Sequence, residues 1–332
     1  MIYKFIFLGL ISLIINYLGI IIFRKFKLLD IPNKRKLHKI GIPFCGGICI
    51  GLCLLISIIV FEYEDNFLNL IVVYGFLMAV MGLIDDGLKI NVGSKLIFQI
   101  LPIFILIFYY NIKIEDIGDY NFIGKIELGS FSNLFNVFCV YLIINSTNYL
   151  DGADGTLALN IILSLISIIF ILNNASLELT KFIFILILFL SIFLLFNLEI
   201  FNLPKLFLGD SGSLMLGFVI SFLIIYAYLR YNIHPSLLCW ILAFYVYEFL
   251  AVNIIRLKKK ISIFKPGKDH IHHILINKFK SISKTNLIIL SFNFFLISFG
   301  NLIYRFSNEL ISLISFISFF FVYLIIRIKK IS

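Results

Sequence analysis

Charge is scarce in this 332-residue chain, and that scarcity excludes most of what a protein of its size can be. Only 14% of residues are charged, against 61% hydrophobic. Soluble domains carry about 25% charged residues, so the composition describes a polytopic membrane protein and not a large soluble core. There are six prolines, and no Pro-, Ser- or Gly-rich linker or repeat of fixed period divides the sequence. A single membrane domain over 1–332 is the simplest organisation. Five cysteines follow no pairing pattern. Cys45, Cys49 and Cys53 lie at i, i+4 and i+8 on one helix face, with no His or acid in that stretch, so they read as small packing residues. The formal charge is +10, but no soluble basic domain exists to grip a duplex, which excludes nucleic acid as a partner. The basic residues gather instead in short loops between apolar runs.

A span needs about 20 apolar residues. Eleven such segments are read, at roughly 5–23, 43–60, 67–84, 95–110, 132–150, 156–172, 180–197, 212–229, 236–254, 285–303 and 308–326. The fold class is therefore all-α, with about eleven transmembrane helices. The first has Lys4 but no small-residue cleavage site, and reads as a retained helix. With the N-terminus outside, the inside segments hold 22 of the 28 Lys and Arg, which sets the expected orientation. The same threading places every acidic cluster, and four of the five histidines, on the cytoplasmic face. Outside segments are short except 111–131, where a small hairpin with solvated acids is expected. His234 reads as a loop residue on that side and Glu199 as an interfacial one.

The few acids are clustered, at Asp85-Asp86, at Asp151 and Asp154 within a DGADG turn, and at Asp210 within GDSG. An ionised acid inside hydrocarbon costs roughly 2.5–3.5 kcal/mol even on lenient scales, so such groups are kept with a partner or a task. Adjacent carboxylates repel, so one is protonated or both face a cation. Asp and Asn without Cys are hard oxygen ligands suited to Mg²⁺ or Mn²⁺. Lys95 opens the span after Asp85-Asp86, and Gly209-Asp210-Ser-Gly opens a helix whose free N–H groups can meet an anion. Lys268 and His270, His272 and His273 add cations and imidazoles. Carboxylates, cations, helix N-termini and a divalent metal are the parts of phosphoryl transfer.

These residues resemble the polyprenyl-phosphate N-acetylhexosamine-1-phosphate transferases, a family that includes bacterial undecaprenyl-phosphate GlcNAc-1-phosphate transferases and phospho-MurNAc-pentapeptide translocase. The resemblance runs from about Leu29 to His273. It is carried by DIPNKRKLH at 30–38, Pro43 with Gly46-Gly47, Asp85-Asp86 with Lys95, NSTNYLDGADG at 145–155, FLGDSGS at 207–213 and HIHH at 270–273. It implies Asp210 as a metal ligand with Asn148 as a second. Asp85, Asp86 and Asp151 fall at acids implicated in catalysis. Asp154 corresponds to a uracil contact, Lys95 to a cation near the pyrophosphate, and His270, His272 and His273 to the motif that shapes the nucleotide-sugar site. Asn145, Lys268, Arg35 and His38 complete the substrate-binding set; Arg35 and His38 also suit a purely topogenic or lipid-attracting role.

The reaction implied is UDP-HexNAc plus undecaprenyl phosphate giving undecaprenyl-diphospho-HexNAc plus UMP, at the bacterial cytoplasmic membrane among membrane lipids, as the first step of a cell-surface polysaccharide. HIHH points to the GlcNAc branch; GalNAc, QuiNAc, FucNAc and bacillosamine-type donors stay open. Members of the family can dimerise, but no residue pattern here argues for a homodimer. Two departures stand out. Pro266-Gly267-Lys268 replaces a common Pro-Asp-Arg, exchanging a planar Arg fork for a point charge. Glu248 stands nearest to where many relatives place an Asp in the ninth span, as either a substitute or a buried helix-pairing group. A secondary transporter, the rival from another class, predicts acids near mid-span and repeated halves; here the clusters lie at span ends and the halves do not repeat.

Overall fold

A helix hydrophobic on every side belongs in the middle of a bundle, and the run from Gly209 to Tyr231 is such a helix. In the computed structural model, which describes residues 2–32, 40–88, 90–172, 175–263 and 267–331, 89% of that run's apolar stretch is buried, against 11% for the helix over 309–329 at the periphery. Among the described residues there are thirteen α-helices: α1 (Ile2–Lys25), α2 (Gly46–Phe61), α3 (Asn66–Leu88), α4 (Val92–Phe104), α5 (Ser132–Leu150), α6 (Thr156–Ile171), α7 (Leu177–Asn197), α8 (Gly209–Tyr231), α9 (Pro235–Ile241), α10 (Ala243–Lys258), α11 (Ile271–Phe279), α12 (Ile282–Phe306) and α13 (Glu309–Ile331). A π-helical turn, Ile105–Tyr109, extends α4. Two antiparallel pairs, β1 (Leu29–Asp30) with β2 (Ile42–Pro43) and β3 (Asp116–Tyr120) with β4 (Gly124–Glu127), are the described strands.

The chain is a multi-pass, mostly helical membrane protein. Each apolar segment read from the sequence falls on a helix. Among the described residues six helices (α1, α3, α7, α8, α12 and α13) are long and apolar enough to cross a membrane, and a seventh crossing is added if α9 and α10 are one broken span. That pair bends by 72° at Leu242. Trp240 fills the bend by lying against Gly300 of α12, where any Cβ would enter the indole.

The start of α8 is seated by backbone contact. Gly47 of α2 packs on Ser211 and Gly212, and Gly82 of α3 on the Asp210 backbone; a methyl group at either glycine would overlap main-chain atoms. Small residues allow this close approach between helices. The segment before α8 is tied to β2 and to the start of α2 by Phe207 N–H to Pro43 O (2.8 Å), Gly46 N–H to Phe207 O and Gly47 N–H to Leu208 O (2.9 Å each). Asp210 therefore sits where two glycines let it.

The far end of α8 carries the β3–β4 hairpin. The expectation that its acids are merely solvated is wrong for Asp116, which accepts from the Tyr228 hydroxyl (2.6 Å) and pairs with Lys125 (3.2 Å). His234 caps α9, bonding Ser236, and reaches the Asp119 carbonyl (3.1 Å). Cys45, Cys49 and Cys53 are buried, with Cys45 and Cys49 against Gly19 of α1.

Gly47→Ala should destabilise the protein by about 1–3 kcal/mol, the usual range for an overpacked contact. Thermal unfolding in detergent measures it, with Gly87→Ala, where no atom lies within 4 Å of the new methyl, as the unaffected control.

Candidate active site

Three helix ends meet at the start of α8. Asp86, at the end of α3, accepts from the Asp210 N–H (2.8 Å) and so caps α8 from outside. Lys95 of α4 places its ammonium between Asp85 and Asp210, 2.7 Å from the latter. Asn148 of α5 donates to the other Asp210 oxygen (2.7 Å) and to Ser213 (3.0 Å). The backbone can make this site only because Gly209 takes a positive φ of 73°, which turns the chain into α8.

Beside it opens a cavity of about 720 Å³, within the range of ligand sites. Asp86, Asp151, Asp154 and Asp210 line it, with Asp30 from β1 and His273 from α11. Phe44, Phe193 and Phe207 provide apolar wall. Lys205 is the wall's cation among the described residues; it bonds Asp154 (2.7 Å) and Glu199 (3.2 Å). Five carboxylates face one ammonium there, so an anion can enter only with further positive charge. Burial, aided by the charges of Asp210 and Asp154, pushes the Asp151 carboxyl up to about 8.

The histidine turn packs against the DGADG turn from behind. His272 is buried with its ring on Gly152, and His270 lies between Tyr149 (4.6 Å between ring centres, edge to face) and His272 (5.7 Å, nearly parallel). His270 Nδ1 and both His272 ring nitrogens are buried without a hydrogen-bond partner among the described residues. Burial drives His270 down to about 4 and His272 well below its ordinary value, and lowers His273 with help from Lys268.

The sequence-predicted residues thus divide. Asp85, Asp86, Lys95, Asn148 and Asp210 form one cluster, with Asp151, Asp154 and His273 around the adjoining cavity. Asn145 is one turn deeper, bonded to Tyr141 (2.8 Å) and Gln99 (3.3 Å) and outside the cavity lining. Lys268 is exposed beyond the cavity, and His270 and His272 are behind its wall. Arg35 and His38, like Lys265 and Pro266, lie outside the described residues.

Two cations counted as loop charge are buried partners. Arg256 of α10 makes a fork to Asp269 (2.7 Å twice), which is held well ionised by it. Arg327 of α13 pairs with Glu248 (3.0 Å), both about 1% exposed. Glu248 is therefore a helix-pairing group. The sequence signal for Lys205 was its solitude, as the one cation between α7 and α8 and five residues before Asp210.

Among the described residues no set of three His, Cys, Asp or Glu is arranged as a metal cage. The donor chemistry nonetheless fits a hard cation: Asp85, Asp86 and Asp210 offer carboxylate oxygens against one ammonium, and Asn148 an amide.

Sequence comparison agrees with the motifs. Residues 68–228 match the family model described as glycosyl transferase family 4. The chain is 28% identical over 259 residues to an undecaprenyl-phosphate alpha-N-acetylglucosaminyl 1-phosphate transferase of Escherichia coli K12, covering 76% of this chain and 70% of that one. It is 27% identical to the protein of that name from Yersinia pestis, with the same coverage. A probable undecaprenyl-phosphate N-acetylglucosaminyl 1-phosphate transferase of Bacillus subtilis is 29% identical over 74% of this chain and 69% of its own length. The similarity to these undecaprenyl-phosphate N-acetylglucosaminyl 1-phosphate transferases runs over about three quarters of the chain.

The buried histidines carry a pH signature. Unfolded, His270 takes up a proton near pH 6.5; folded, it resists until about pH 4. The contribution of this residue to stability is therefore constant above about pH 7 and falls as pH drops through 6.5, by about 1.4 kcal/mol at pH 5.5. Lowering the pH from 7.5 to 5.5 should move the melting temperature of the unmodified protein downward relative to that of His270→Gln.

Proposed function

We propose that this chain, whose residues 68–228 match glycosyl transferase family 4, transfers a HexNAc-1-phosphate, GlcNAc-1-phosphate first, from a UDP-sugar to undecaprenyl phosphate. The observation that carries the reading is the seating of Asp210 against Asp86, Lys95 and Asn148 at the wall of an acidic cavity. In this reading an oxygen of the lipid phosphate bonds to the sugar-bearing phosphorus, the bond from that phosphorus to the bridging oxygen breaks, and UMP leaves. No glycosidic bond is cut.

Two anions must meet, and the residues present bear on that problem. Asp85, Asp86, Asp210 and the Asn148 amide oxygen would hold Mg²⁺, which when bound supplies charge neutralisation for the phosphates. Lys95, released from one of its two carboxylates, is placed to meet a phosphate oxygen. Lys205 holds Asp154 by one oxygen, leaving the other for the donor's base or sugar. Asp151, with its carboxyl near 8, can hold or accept a proton close to neutral pH. The apolar wall at Phe44, Phe193 and Phe207 limits water. The proposed topology is eleven crossings with the N-terminus outside, which puts this cavity on the cytoplasmic face of a bacterial inner membrane, where UDP-sugars are available. The whole of 1–332 acts as one domain, and a homodimer is compatible with it.

Purified protein in detergent, given undecaprenyl phosphate, Mg²⁺ and a panel of UDP-HexNAc donors, should release UMP and form a diphospho-linked sugar lipid detectable by mass, both lost with EDTA. No product from any donor, in folded protein, would overturn the reading. Asp210→Asn should lower turnover by about 10²–10³-fold or more, as for loss of an electrostatic group at a reacting centre, while the melting temperature stays close to that of the parent.

A further inference from the structure

A charge buried inside a helix bundle has to be matched, and Glu248 of α10, about 1% exposed, is matched by three partners. Its Oε1 accepts from Arg327 Nη2 (3.0 Å) and from the Ile271 N–H (2.7 Å). Its Oε2 accepts from the Tyr323 hydroxyl (2.6 Å) and Arg327 Nε (3.1 Å). Arg327 Nη2 also donates to the Asp269 carbonyl (2.7 Å). The pair therefore holds the residue before His270 and the residue after it.

The Ile271 N–H opens α11, and His270 supplies no side-chain cap for that helix. The first amides of a helix need an outside partner, and here the partner comes from α10. Asp269 is held a second time, by the Arg256 fork, while Arg256 also reaches Ile263 O (2.9 Å). Among the described residues Arg327 Nη1 is buried without a hydrogen-bond partner, so the pair is not optimised for its own sake. A buried ion pair is often no more stabilising than well-packed apolar residues of like volume. Its return must then lie in what it holds in place. What it holds is the turn that puts His272 on Gly152 and His273 at the cavity wall.

We propose that Glu248 and Arg327, with Tyr323, are positioning residues: a cross-helix clamp from α10 and α13 that sets the angle of the His270–His273 turn against the DGADG turn. The inference rests on the proposed reaction only for its kinetic readout. The clamp lies outside the segment matched at 68–228, in two helices that supply none of the described residues lining the cavity.

The test replaces both charges at once, Glu248→Leu with Arg327→Met, so that no lone ion is left buried. The double variant should fold and melt close to the parent. Diethyl pyrocarbonate should modify His270 and His272, scored by peptide mass, about tenfold faster, as expected when a local closure is loosened. KM for the UDP-sugar should rise about tenfold or more, with kcat less affected, since displacement of positioned groups shows first in how the donor sits. Tyr323→Phe removes one hydrogen bond without touching the pair, and should move both readouts the same way by a smaller amount. If the double variant does not fold, Tyr323→Phe decides alone. Unchanged histidine reactivity in a folded variant overturns the clamp. If the parent protein turns over no donor, the proposed reaction fails, and the clamp is still judged by the modification rates.

Discussion

The contact between the start of α8 and two glycines is what the rest of the molecule is arranged around. Without side chains at Gly47 and Gly82, α2 and α3 come close enough to touch the backbone of residues 210–212. That places a helix N-terminus, with its unpaired amides and partial positive charge, beside the carboxylates at the end of α3. Asp86 takes the Asp210 amide, and Lys95 and Asn148 then find Asp210 from α4 and α5. A cluster assembled from four helices is thus registered by main-chain contact. Main-chain contact leaves less play than long side chains do.

The two walls of the cavity are held in different ways. On the α8 side, position follows from close packing around a fully buried helix. On the histidine side, α11 is a short helix of nine residues, too short to be stable alone, and ion pairs from α10 and α13 fix its start. Packing of α8 draws on Gly82 within the matched segment and on Gly47 before it, whereas the histidine turn depends on Glu248, Arg256 and Arg327, all beyond that segment.

Much of this could be read in the sequence because acids in an apolar chain are conspicuous. Asp85, Asp86, Asp151, Asp154 and Asp210 stand out against long uncharged runs, and the structure brings them to one end of the bundle. What was not legible depended on geometry across helices. Charge counting cannot tell an Arg that salutes the headgroups from one that turns inward, so Arg256 and Arg327 passed as loop cations. Glu248 had two readings until the third partner, a backbone amide of another helix, was seen. Asn145 shares its motif and its helix face with Asn148, but three residues along a helix set it about 4.5 Å further down the axis, and Asn145 meets Gln99 instead of the cavity. Asp116 looked like a hairpin acid in water because nothing in the sequence ties it to Tyr228, 112 residues away.

The placing of Lys95 between Asp85 and Asp210 has a consequence for timing. A cluster that contains its own counter-charge keeps its shape while empty, because the ammonium answers the repulsion between carboxylates. Arrival of any other positive group is then an exchange and not an addition. The incoming charge and the lysine compete for the same oxygens, so apparent affinity reports the difference between two attachments. In the proposed reaction the four-carbon stem of Lys95 would then be a moving part, its swing accompanying each such exchange.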